Sequence, residues 1–71
     1  MDKKAQRKQA ANIQRHWADM AFRDARYNQQ QAKRDRTQGN ITLAHLHERE
    51  ARWDLLWGRR RVRLANKYSK R

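Results

Sequence analysis

Thr37-Gln38-Gly39-Asn40 is the one break in a chain that otherwise reads as helix. Gly39 suits the left-handed residue just past a helix end, and Asn40 or Thr42 suits the cap of the helix that follows. Both flanks are rich in Ala, Gln, Arg, Lys and Leu, and no proline interrupts them. The β-branched residues Ile13, Ile41, Val62, Thr37 and Thr42 are too few for strands. The pattern predicts an all-α chain with a first helix over about 4–37 and a turn at 38–41. A second helix over about 42–68 and a basic tail at 69–71 complete one helical-hairpin domain, 1–71. No internal repeat is read in it.

Working outward from the turn, the first helix carries an apolar stripe of Ala10, Ile13, Trp17, Met20 and Tyr27 at the three-and-four spacing of one face. Asp24 falls inside this stripe and Phe22 opposite it. Past Tyr27 the stripe gives way to Asn28, Gln29, Gln30 and Gln31, so this end is expected to fray or meet solvent. The second helix carries Leu43, Leu46, Trp53, Trp57, Leu64 and Tyr68 on one face, interrupted by Glu50 and Arg61, and Ala44, Ala51, Leu55 and Val62 on another. An antiparallel hairpin about Gly39 brings level those residues whose numbers add to about 80. Tyr27 then meets Trp53, Met20 lies near Arg60 and Arg61, Trp17 nears Leu64, and Asp24 lies near Trp57. A hairpin helix needs one apolar face, and two imply two neighbours. The expectation is a homodimer in a four-helix arrangement, with Ala51, Leu55 and Val62 at its interface. A chain this short buries only about 60 % of its unfolded surface, which favours such pairing.

Charge sets the partner class. Nineteen Lys and Arg against seven Asp and Glu leave a formal net charge of +12, and arginine outnumbers lysine about two to one. Repulsion among these cations opposes compaction and attracts polyanions. Arginine's planar fork grips phosphate through two hydrogen bonds and stacks on bases. On the first helix Lys4, Lys8, Arg15, Arg26 and Lys33 project away from the apolar stripe, with Phe22 among them as a candidate stacking residue. On the second, Arg49, Arg52, Arg59, Arg63 and Lys67 share a face, and Arg60 belongs to the run Trp57-Gly58-Arg59-Arg60-Arg61-Val62-Arg63. Gly58 there either lets a ligand approach the backbone or kinks the helix. These cations are the candidate nucleic-acid-binding residues. No helix-turn-helix, RRM, KH or zinc-finger pattern is present, so backbone and shape recognition is expected, with RNA favoured over DNA.

Other chemistry is sparse. Ser69 is the only serine and there is no cysteine, which argues against a Ser or Cys nucleophile and excludes disulfides and Cys-ligated zinc. His45 with Glu48, or His47 with Glu50, could share an ion on a helix, but His45 and His47 point ~200° apart and no further carboxylates complete a ligand set. We therefore expect no enzyme activity, metal, cofactor or small-molecule substrate. No apolar run exceeds three residues, as in Leu55-Leu56-Trp57, against ~20 for a membrane span, and Met1-Asp2-Lys3-Lys4 does not open a secretory signal. A cytoplasmic protein without a membrane role is the expectation.

The segment Arg52-Trp53-Asp54-Leu55-Leu56-Trp57-Gly58-Arg59-Arg60-Arg61-Val62-Arg63 resembles the basic C-terminal end of the NinE family of small lambdoid-phage proteins, which carries a similar Trp-Asp-x-x-Trp-x-Arg-Arg-Arg pattern. The match covers about a sixth of the chain. The stretch from Lys3 to Trp17 is similar to arginine-rich antiterminator peptides that fold on hairpin RNA, although it holds only Arg7 and Arg15 where those carry a dense arginine run. These resemblances imply a phage or prophage accessory protein in the cytosol of a bacterial host. The leading expectation is a nucleic-acid-binding regulator that contacts RNA or nucleoprotein through arginine-rich helix faces. The alternative is a protein-binding effector that inhibits a host or defence complex by docking on an acidic surface, since an acidic protein attracts the same cations.

Overall fold

The computed structural model describes residues 2–69, which form two long helices packed antiparallel, α1 (Lys3–Thr37) and α2 (Ile41–Ser69). The expected boundaries hold to within a residue. Of the expected basic tail, Ser69 closes α2, and residues 70 and 71 lie outside the described part. The rod measures 56 × 13 × 11 Å.

Local chemistry fixes both ends of α1. At its start the Asp2 carboxylate accepts the Ala5 N–H at 2.7 Å, a cap worth about 1 kcal/mol. At its end Gly39 has φ +79°, the Asn40 N–H donates to the Asp35 carbonyl at 2.7 Å, and the Gly39 N–H donates to the Arg36 carbonyl at 3.1 Å. Those nested bonds are the Schellman ending, and they let the chain reverse in three residues.

What joins the helices differs from the expected stripes. The buried residues of α1 are Ala11, Ala18, Ala25, Ala32 and Asp35; those of α2 are Ala44, Ala51, Gly58 and Ala65. Each small-residue series steps by seven, so the chain does hold a repeat, a heptad of alanine (once glycine) on each helix. A seven-residue period keeps one stripe facing the partner along the whole rod. Beside the small residues run polar pairs across the seam. The Arg61 Nη1–H donates to Gln14 Oε1 at 3.0 Å, Asn28 Nδ2–H to Asp54 Oδ2 at 2.9 Å, and His47 Nδ1–H to Asp35 Oδ2 at 2.7 Å. Alanine gives little burial energy, about 0.8 kcal/mol for a methyl-sized group. The polar pairs supply what alanine lacks, a register: one residue of slip would strand them. Among the described residues no buried side-chain nitrogen or oxygen lacks a partner.

Three expectations are corrected here. The large apolar residues do not form the interhelical core: Ile13, Trp17, Met20, Tyr27, Trp53 and Trp57 are 40–59 % exposed, because a seam of methyl groups leaves bulkier side chains on its flanks. Of the two outcomes expected for the Asn28–Gln31 end of α1, it stays helical and does not fray, since Ala32 and Asp35 continue the seam to the turn, but it does meet solvent at Gln29 and Gln30. Ala51, expected at a dimer interface, is buried against α1 with 4 % exposed. The antiparallel register does agree with expectation, as Phe22 beside Gly58 and Asn28 bonded to Asp54 attest.

Candidate functional site

A two-helix rod with a narrow seam has two broad sides, and helical periodicity assigns every residue to one of them. Positions four residues past each seam alanine lie on one side, and positions one residue before it lie on the other. Cross-helix contacts mark both. On the first side Arg15 Nη2–H donates to Ser69 Oγ at 2.8 Å and Arg36 bonds Glu48. On the second, Trp17, Met20, Asp24, Asp54, Trp57 and Arg61 line one shallow cleft, which joins Met20 to Arg61 and Asp24 to Trp57 as expected.

The first side is cationic. Lys8 and Arg15 lie along α1 next to the seam, with Arg26 and Lys33 one step outward; Arg52 and Arg59 occupy the matching outward positions on α2. All six are exposed. Within each of the pairs Lys8–Arg15, Arg26–Lys33 and Arg52–Arg59 the spacing is seven residues, or about 10.5 Å of helix. Phe22 lies between them but is half-buried, with its ring turned onto Gly58: a β-carbon there would sit 2.6 Å from Phe22 Cε1. The expected stacking ring is thus committed to packing inside the chain. α2 runs unbroken through Gly58, and the Phe22 ring covers the glycine. Its missing side chain is the seat of an aromatic ring. Leu55 and Val62 lie one turn to either side of Gly58, Leu55 half-buried and Val62 exposed.

The remaining expected cations are dispersed. Arg49 and Arg63 lie on the outer ridge of α2, and Lys4 stands near the free end of α1, which at 35 residues outreaches the 29 of α2. Arg60 and Lys67 fall on the opposite, aromatic side. There the Arg60 guanidinium stacks over the Trp57 ring at 5.4 Å and that of Arg61 at 5.8 Å, placing two cations against one indole. Arg36, absent from the expected set, belongs to the cationic side by the same seven-residue step that places Arg15, but is occupied by Glu48. Its Nε–H donates to Glu48 Oε1 at 2.8 Å. That bond holds the Glu48 carboxyl below its usual value of 4.5, against some desolvation, and the charges of Arg36, His45 and Arg52 add to the effect.

The histidine readings resolve by geometry. His45 Nδ1 lies 3.7 Å from Glu48 Oε2, a loose contact on the helix surface. His47 is directed to Asp35 rather than to Glu50. No group of three or more His, Cys, Asp or Glu residues able to hold a metal ion occurs among the described residues. Nor is any described helix long and apolar enough to cross a membrane. The scan of protein families found no model that matches the chain, and neither the curated proteins nor the solved structures gave a significant match.

Proposed function

We propose that this chain is a small nucleic-acid-binding protein, working as a homodimer in a four-helix arrangement and gripping phosphates with the cationic side of each hairpin. The observation that carries the reading is a side of the rod on which cations outnumber the carboxylates of Asp19 and Glu48 and no indole lies. Lys8, Arg15, Arg26, Lys33, Arg52 and Arg59 gather on one side of a straight frame while the indoles gather on the other. Cations held in fixed rows release counterions from a polyanion without first being ordered, which concentrates affinity into a salt-sensitive term. A rod 56 Å long spans about sixteen base pairs at 3.4 Å each.

Structured RNA is the preferred ligand. The B-DNA major groove, about 12 Å wide, admits one helix, whereas this side is two helices across. The shallow minor groove of A-form RNA, lined by phosphates and 2′-hydroxyls, suits a broad flat surface. The NinE-like Trp/Arg segment and the antiterminator-like N-terminal stretch fit a phage or prophage regulator acting in a bacterial cytosol. The exposed tryptophans favour a second reading, a protein-binding effector, because Trp, Tyr and Arg dominate protein-interface hot spots.

Fluorescence anisotropy against an RNA hairpin, a single strand and a DNA duplex, at ~50 to ~300 mM NaCl, separates the two. The nucleic-acid reading requires binding that weakens log-linearly with salt. No association with any of the three at ~100 mM salt overturns it in favour of the effector reading.

A further inference from the structure

We infer that Trp53 is a stacking platform for an unpaired base whose phosphates are held by Arg49 and Arg52 on the outer ridge of α2. This deepens the nucleic-acid reading above and rests on it: the site adds recognition of a loop or bulge to a surface that grips phosphate.

The charge of α2 is sorted around the helix. The positions one, two and five residues past Ala44, Ala51, Gly58 and Ala65 fall within one arc, about 100° wide, that faces away from α1. Six of the seven Lys and Arg of α2 lie on this arc, namely Arg49, Arg52, Arg59, Arg60, Arg63 and Lys67, and all six are exposed. The three carboxylates of α2 all lie off it. Glu48 and Asp54 sit beside the seam, where Arg36 donates to the first and Asn28 to the second. Arg52 also acts on Glu48 through its charge, and Glu50 lies just past the aromatic-side edge of the arc. The matching arc of α1 carries Arg23, Arg26, Lys33 and Arg34 but includes the carboxylate of Asp19.

On the α2 arc one shallow hollow has the make-up of a nucleotide site. Arg49, Arg52, Trp53 and Leu56 line it. The indole offers a base its flat face and Leu56 adds an apolar edge. Arg49 and Arg52 stand within one helical turn of the indole, and each can grip a neighbouring phosphate through two hydrogen bonds. Trp53 is 57 % exposed. The other two indoles are engaged: Arg60 and Arg61 lie over the Trp57 ring, and Trp17 meets the His16 ring edge-on and shares its cleft with Asp24 and Asp54. Among the described residues no ring or guanidinium stacks on Trp53. Phe22, the ring expected to stack, is turned onto Gly58, so the role passes to Trp53. Arg52 is also part of the cationic side, so a strand whose phosphates follow that side reaches the hollow by turning one base over the ridge.

Two other occupants fit less well. A protein partner docks on about 800 Å² of a subunit, whereas this arc is one helix, about 10 Å, across and about 27 Å long from Arg49 to Lys67. A bilayer holds a helix by buried apolar area, of which the arc offers Leu46, Trp53 and Leu56 among six cations.

The test uses the full chain with an RNA hairpin carrying 2-aminopurine in its loop, the same stem as a blunt duplex, and phosphatidylserine vesicles. Trp53 lies outside the seam, so Trp53→Ala and Trp53→Phe keep the hairpin fold, which circular dichroism checks. The stacking site predicts that binding quenches the loop fluorescence. Trp53→Ala should abolish the quench and weaken binding to the RNA hairpin by roughly 5- to 100-fold, with Trp53→Phe retaining most of the affinity and duplex binding unchanged. Because a stack releases no counterion, Trp53→Ala keeps the native slope of log K against log salt, while Arg49→Gln with Arg52→Gln lowers it. Unaltered hairpin affinity in Trp53→Ala, or an equal loss on the duplex, overturns the site and leaves the nucleic-acid reading standing. Absence of binding to either RNA overturns both. Tighter binding to the vesicles than to the RNA hairpin at equal phosphate, lost in Trp53→Ala, gives the indole to a membrane and overturns the site.

Discussion

Substituting Gly58 by alanine tests the packing logic of the hairpin because two well-measured effects pull in opposite directions. In an exposed helix the change stabilises by about 1 kcal/mol, since alanine restricts the unfolded backbone and favours helix. Here the new methyl would lie 2.6 Å from Phe22 Cε1 and 2.9 Å from Cδ1 and Cζ, so the ring must move by nearly 1 Å to restore ordinary contact. Overpacking costs about 1–3 kcal/mol, and Phe22 is only half-buried, which places the cost near about 2. The expected net is a loss of about 1 kcal/mol, or a Tm lower by roughly 4–8 °C in a chain this small. The decisive measurement is the double-mutant cycle. In a Phe22→Ala background the clash is gone, so Gly58→Ala should stabilise by about 1 kcal/mol and the coupling should be about 2 kcal/mol. Urea unfolding followed by circular dichroism at one fixed protein concentration reads this as shifts in midpoint at constant slope. If Gly58→Ala stabilised the otherwise unchanged chain by the full helix-propensity amount, the seat for the ring would be an illusion and the reasoning refuted.

Seam and flank should respond oppositely to bulk. Ala18→Leu or Ala51→Leu, at positions 1 % and 4 % exposed, should cost about 2 kcal/mol or more in the same assay, whereas Gln30→Leu on the outer surface should change stability by less than about 0.5. For Glu48 the folded pKa lies below the unfolded value, so its stabilising contribution is present above about pH 4.5 and is lost as pH falls through the folded value. The stability advantage of the native chain over Glu48→Gln should therefore shrink on acidification in denaturation curves from pH 6 to pH 3 (roughly the range spanning that titration), and an advantage that grows there would contradict the Arg36 pairing. If the cationic side holds nucleic acid, Arg52→Ala with Arg59→Ala should reduce the slope of log K against log salt by up to about 2. Arg60→Ala, stacked on Trp57 on the other side, should leave the slope nearly unchanged in anisotropy titrations.

The fold was legible in the sequence because its determinants are local. Gly39 at positive φ, the uninterrupted helix formers and the absence of proline act within a few residues, and the hairpin follows from them. The core is not legible in the same way, because hydrophobic size is a poor sign of burial in a helix pair this thin. Trp17, Met20 and Trp57 share a face at helical spacing, but spacing says only that they lie together, not that the other helix covers them. The signal that does identify the seam is a seven-residue recurrence of the smallest residues: Ala11, Ala18, Ala25, Ala32 and then Ala44, Ala51, Gly58, Ala65. Because alanine is common in helices, such a series is read as propensity unless its period is counted. With the period in hand Gly58 loses its ambiguity, since it occupies an alanine position with one methyl removed to admit Phe22. The capping role of Asp2 was likewise available from residue type alone.

A seam of alanines also explains how one short chain can present two chemically distinct surfaces. Had the tryptophans and leucines filled the interhelical space, the hairpin would have gained burial but kept only charged surface outside. With methyl groups inside, the polar pairs Gln14–Arg61, Asn28–Asp54 and Asp35–His47 take over the task of register, and the large side chains are released to one flank. The cations of the other flank and the outer ridges are then free of stacking on the indoles, while Arg34, Arg60, Arg61 and Lys67 share the aromatic flank. Were two such hairpins to pair as the proposed homodimer with their cationic sides outward, their rows of Lys8, Arg15, Arg26, Lys33, Arg52 and Arg59 would point away from each other. Each row would then meet its own stretch of polyanion, so the pairing that completes the core would also make the protein bivalent. Bivalency of that kind multiplies avidity without any new contact, which is how a rod this small, with so little interior of its own, could hold a large anionic partner.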